Sequence, residues 1–136
     1  MTRPDYYGNP AGLEDDIAVV RSILDAFARR DVEAMLPLVS AGCELHLETA
    51  RAAGRDGPYR GHDGVRLYFG DVARLWDELV LHADDIRAIP GSVIVIGHVT
   101  GRREGREVRR SAVWTWRVEN GVATSVKVSD LGELSA

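Results

Sequence analysis

The chain has 136 residues, 45% of them hydrophobic, enough to bury one sizeable core and short for two. A formal net charge of −4 gives no sequence-wide cationic field, which argues against nucleic acid or an anionic membrane surface as the main partner and favours a small, weakly polar ligand. Cys43 is the single cysteine, so an intrachain disulfide and a cysteine-based metal cluster within one chain are excluded.

Residues 1 to 12 carry two prolines, two glycines and no apolar period, which predicts a flexible N-terminal tail. The opening MTRPDYYGNP lacks an apolar segment of signal-peptide length, and no apolar run approaches the roughly 20 residues that span a bilayer. The expectation is a soluble, cytoplasmic protein with no membrane partner. From Leu13, Ile17, Val20, Leu24 and Phe27 recur at helical spacing and predict an amphipathic helix. Asp31 is placed to cap a shorter second helix that Pro37 kinks or ends. Cys43 to Thr49 alternates, with Cys43, Leu45 and Leu47 on the apolar face of a strand, and residues 50 to 61 read as a loop.

His62 or Asp63 is the expected cap of the next helix, whose Val65, Tyr68, Phe69, Val72, Leu75 and Trp76 form an aromatic buried stripe. Leu79 to Ile89 reads as a strand, Pro90-Gly91 as a turn, and Ser92 to Thr100 as an apolar strand carrying Gly97 and His98. Gly101 to Gly105 turns the chain into a long hairpin, EVRRSAVWTWRVENGVATSVKVSD, at residues 107 to 130. Helices first and strands after predict an α+β fold with N-terminal helices packed on a curved, mostly antiparallel β-sheet. A sheet curved around helices leaves an apolar pocket.

The phrases ARRDVEAMLPLVSAGCELH, YRGHDGVRLYF and VWTWRVENGVATSVKVSD resemble the nuclear transport factor 2-like superfamily, in particular its SnoaL-like, polyketide cyclase-like branch. The resemblance spans residues 13 to 130, leaves 131 to 136 as a C-terminal tail, and implies a cone-shaped fold. It implies no single activity, because the superfamily includes ketosteroid isomerases, polyketide cyclases, epoxide hydrolases and dehydratases as well as adaptor and transport proteins. Carried over residue by residue, the ketosteroid isomerase pattern puts Leu47 at the general base, Ile23 at the tyrosine donor and Trp114 at the protonated aspartate. All three catalytic groups are replaced. The Arg-x-Asp motif of the epoxide hydrolases is absent, since Arg110 is followed two residues later by Ala112, although Asp130 matches their third carboxylate.

Matching apolar faces sets the expected hairpin register, since opposite residues of an antiparallel pair share a face. A three-residue Glu119-Asn120-Gly121 loop pairs Trp116 with Thr124, Trp114 with Val126 and Arg110 with Asp130. His98 joins that face if the connection after it has an odd number of loop residues and leaves it if the number is even. Asp130 and His98 are therefore the candidate acid–base groups, with Arg110 or the Trp114 indole N–H steadying negative charge; a rim salt bridge is the bland alternative. Trp114, Trp116, Leu47, Tyr68, Phe69 and Phe27 are the expected ligand-binding residues.

His46 between Glu44 and Glu48 reads as the wet face of a strand, and His62 and His82 lack a ligand-spaced partner, so neither a metal nor another cofactor is expected. The five arginines from Arg102 to Arg110 read as a solvated hairpin tip, and Cys43 as an inert buried thiol. The mixture of Val113, Thr115 and Arg117 on the opposite sheet face suits a homodimer. The leading functional expectation is a pocket for a small cyclic or aromatic molecule. Proton-transfer catalysis on a polyketide- or steroid-like substrate and a non-catalytic dimerisation module are the alternatives.

Overall fold

The computed structural model describes residues 10–133, with side chains described for 12–129. The remaining parts of the expected tails lie outside the described residues. Helix α1 (Pro10–Ala28) starts within the stretch expected to be a tail and buries Val20, Ile23, Ala26 and Phe27. It ends as Arg30 takes a left-handed φ of 54° and the Asp31 N–H reaches back to the Ala26 carbonyl at 2.8 Å. Asp31 caps α2 (Val32–Met35) by accepting from the Ala34 N–H at 3.1 Å, satisfying one of the four donors a helix start leaves unpaired.

Pro37 lies in a 3-10 turn, Leu36–Leu38, after which the backbone is extended. Strand β1 (Val39–His46) therefore begins earlier than the alternation suggested and stops before Leu47. A short helix α3 (Glu48–Ala52) takes the end of the expected strand and the start of the expected loop, and the loop also contains a two-residue strand β2 (Tyr59–Arg60). In helix α4 (Gly61–Leu75) the capping position falls on Arg60, without a side-chain cap bond. His62 is not the cap: its Nε2 donates to the Val39 carbonyl at 3.0 Å and ties α4 to β1.

Strands β3 (Glu78–Ile89), β4 (Ser92–Arg103), β5 (Arg106–Glu119) and β6 (Val122–Glu133) complete a six-stranded sheet in the order β2-β1-β6-β5-β4-β3. Only the β1–β6 pairing is parallel. This is the α+β architecture of helices on a curved, mostly antiparallel sheet. No helix among the described residues is long and apolar enough to cross a membrane.

Two tight turns decide which residues face the helices. Glu104 and Gly105 both have positive φ, 53° and 76°, so Arg103 pairs with Arg106 across a two-residue loop. Asn120 and Gly121, at 52° and 81°, likewise join Glu119 to Val122. The three-residue loop expected from face matching is thus replaced by a two-residue one. An irregularity between Arg117 and Val118 then shifts the ladder, so that Trp116 faces Val126, Trp114 faces Val128 and Ala112 faces Asp130. From Trp116 to Ala112 the expected register is wrong by two positions on β6, which keeps Val126 and Val128 on the tryptophan face because the period of a strand is two; nearer the turn Val118 faces Ala123, a shift of one that turns Ala123 inward.

Candidate functional site

A cavity of about 280 Å³ opens between the helices and the inner face of the sheet. The sheet supplies Leu79, Leu81, Val99, Val108, Ala112 and Trp114, with Val128 from β6, and the helices supply Phe27, Thr49 and Tyr68. The helical wall is held by aromatic contact: Phe27 and Tyr68 stack with centroids 5.6 Å apart, and Tyr59 meets Tyr68 edge-on at 5.3 Å. Arg30 fixes this wall to the sheet. Its guanidinium lies 4.1 Å from the Phe27 ring centre and donates to the carbonyls of Phe27 and Leu79, each at 2.5 Å.

The polar groups are few. Burial drives the Tyr68 phenol well above its ordinary pKa. Trp76 lines the cavity where Gly101 leaves room for it; a Cβ at Gly101 would meet the indole at 2.9 Å and the Glu78 carbonyl oxygen at 2.7 Å. The Trp76 indole N–H is buried with no hydrogen-bond partner among the described residues. Glu48, Arg103 and Arg110 complete the lining with charge.

Asp71, 3% exposed, stands beneath the helical wall. Arg55 grips it with two bonds, at 2.7 and 2.9 Å, Tyr59 donates its hydroxyl at 2.7 Å, and Arg74 adds a contact at 3.1 Å. The Arg55 bond holds the Asp71 carboxyl well below the usual carboxylate range, while burial, followed by the Asp71 bond, pushes Tyr59 up to about 12. This network joins the loop after α3 to α4, the helix that carries Tyr68. It is paired within itself and has the character of support.

The residues expected to act together are only partly brought together. His98 pairs with Ser111 and stands on the outer face, because the Glu104-Gly105 turn has an even number of residues. There its Nδ1 lies 2.8 Å from Asp84, and its ring stacks on His82 at 4.4 Å, so it is not part of the cavity. Arg110 lines the cavity, but a second irregularity beside Ala112 sets it opposite Glu133 and not Asp130. The backbone of Asp130 pairs with cavity-lining Ala112, and its side chain lies outside the described residues.

Phe27, Leu47, Tyr68 and Trp114 line the cavity as expected. Trp116 and Phe69 are absent from the lining. Trp116 sits two residues further toward the Asn120-Gly121 turn, 7% exposed within the core, and Phe69 turns away on α4 to meet Phe27 edge-on at 5.7 Å. Trp76, Glu48 and Thr49 were not nominated from sequence, and Arg103, expected on a solvated hairpin tip, is half-buried in the lining. Once the turn after Arg103 is recognised as two residues long, strand alternation puts Arg103, Val108 and Arg110 on one face, a signal present in Glu104-Gly105. Cys43 is 1% exposed, and burial raises its thiol pKa, in keeping with an inert thiol.

Helices packed on a curved, mostly antiparallel sheet with a cavity between them place the chain in the nuclear transport factor 2-like class. The SnoaL-like domain profile matches residues 20–126, and the chain belongs to this family. Among solved structures, an NTF2-like protein of unknown function from Burkholderia pseudomallei superposes with a TM-score of 0.77 at 25% identity, over 85% of this chain and 90% of that one. TerC, co-crystallised with polyporic acid, gives 0.76 at 21% identity over 85% and 91%. A Catenulispora acidiphila protein with a ketosteroid isomerase-like fold, in complex with trimethylamine, gives 0.70 at 11% identity over 82% and 83%. No curated protein matches the chain.

Proposed function

We propose that this SnoaL-like domain binds a small cyclic or aromatic organic molecule in the cavity between its helices and sheet. The observation that carries the reading is the cavity itself: Phe27 and Tyr68 on the helical side, a mostly aliphatic sheet side that also carries Trp114, and small Ala112 beside that tryptophan. Its volume of about 280 Å³ falls just under the ~300–1,000 Å³ usual for ligand sites, which favours a one- or two-ring compound over a steroid. TerC, of similar fold, was co-crystallised with the small molecule polyporic acid, which supports a ligand-binding role. Of the groups expected to move a proton, His98 stands across the sheet from the cavity, so the reading rests on binding.

The test is calorimetry with a panel of one- and two-ring compounds on the wild-type chain and on Ala112→Leu. Leucine at this inward position fills the cavity, so affinity is expected to fall at least about tenfold, the equivalent of 1.4 kcal/mol, with the circular dichroism spectrum unchanged. A panel that yields no binder to the wild type, or binders indifferent to Ala112→Leu, overturns the reading.

A further inference from the structure

We propose, building on that pocket reading, that the occupant is an organic anion: a ring system bearing a carboxylate or a comparably acidic oxygen, with its ring against Trp114 and its charged end at Arg103. Three arginines among the described residues are half-buried: Arg55, Arg103 and Arg110. Arg55 is matched to Asp71 by two hydrogen bonds, and Arg110 is itself engaged. The Arg103 guanidinium has no hydrogen bond or ion pair to any described residue, yet Arg103 lines the cavity. A guanidinium cannot shed its proton to escape burial, so removing half its surface from water is costly until an acceptor arrives. An anion in the cavity supplies that acceptor.

Two further lining residues carry donors alone. Arg110 and the Trp76 indole N–H are donors without acceptor capacity, and the indole is already buried without a partner. Along the β4–β5 ladder, Arg110 lies opposite Val99 and Arg103 opposite Arg106, with the Gly101–Val108 pair between them. Both arginines therefore stand on the inner face, at the hairpin end of the site. Glu48 on α3 is the one carboxylate among the described lining residues, and it is solvent-exposed. Water already satisfies it. Among the described lining residues, the half-buried charges, Arg103 and Arg110, are both positive.

Three probes of one shape separate the possibilities: 2-naphthoate, 2-naphthylmethanol and 2-naphthylmethylammonium, titrated calorimetrically into the full chain and into Arg103→Gln at low and high salt. The expected result is naphthoate binding at least about tenfold more tightly than the alcohol, as charge-assisted hydrogen bonds give, with the advantage shrinking as salt rises. Arg103→Gln is expected to remove most of that advantage, lowering naphthoate's affinity several-fold more than the alcohol's. Equal affinities for acid and alcohol, or tightest binding of the ammonium probe, overturn the anion assignment and leave the pocket standing. A preference for naphthoate that survives Arg103→Gln overturns the role given to Arg103. If no probe binds, the pocket reading fails and this inference fails with it.

Discussion

Asp71 is the most tightly held charge among the described residues, and its environment makes a stability argument that needs no ligand. Arg55 retains 32% side-chain exposure, so its half of the pair is partly solvated, whereas the carboxylate is almost fully removed from water. Losing one partner of a buried pair costs roughly 3–5 kcal/mol, and the solvation left to Arg55 puts Asp71→Asn near the bottom of that range, about 3 kcal/mol at neutral pH. Because the folded-state pKa of Asp71 is depressed, the unfolded chain takes up the proton first as pH falls. The contribution is complete above the ordinary aspartate pKa of about 3.9 and is lost as pH drops below it toward the folded value. Urea unfolding at pH 7, 5 and 3 should therefore show Asp71→Asn less stable at pH 7 and less sensitive to acid than the wild type. Equal stability at pH 7 would remove the network from the account of how the helical wall is held.

At the scale of elements, the turns carry more of the site than their length suggests. Asn120-Gly121 and Glu104-Gly105 each place two successive residues at positive φ, and each fixes the pairing of a strand more than ten residues long. Gly121→Ala puts a Cβ on a φ of 81°, in open space, and should lower stability by about 1 kcal/mol through backbone strain alone, measured by thermal unfolding. Gly42→Ala, also in open space but without positive φ, is the matched control and should stay within about 0.5 kcal/mol of the wild type. The same turns explain what could be read in advance. Hydrophobic alternation identified the inner face of β5, because Trp114 and Trp116 admit no other side. It could not count loop residues, so the side taken by His98 stayed open until the even turn put it outside. The pairing of Arg110 with Asp130 failed for a related reason: irregularities beside Ala112 and Val118 leave no periodic trace in the sequence. Helix α3 straddles the end of the expected strand and the start of the expected loop, so strand alternation claimed Glu48 and Thr49 and the helix went unread.

At the scale of the whole molecule, the sheet has an outer face that no helix covers. On it Ile96 is 36% and Val80 41% exposed, and Ile96 pairs across β4–β5 with half-buried Val113. Beside the Ile96–Val113 pair stand Arg117 and Lys127 on one side and the His82–His98 stack with Asp84 on the other, with Val80 beyond the stack. An apolar centre with a charged rim of both signs is the composition of a protein–protein interface. A second copy is the occupant we propose, because a twofold axis turns the same patch upon itself and can bring its cations against its anions. The wild-type chain should then sediment at twice its 14.9 kDa mass. Ile96→Glu sets like charges face to face near the axis and should yield a folded monomer whose cavity, on the other side of the sheet, still binds ring compounds. Sedimentation of the wild type as a monomer, or of Ile96→Glu as a dimer, would exclude this face as the contact.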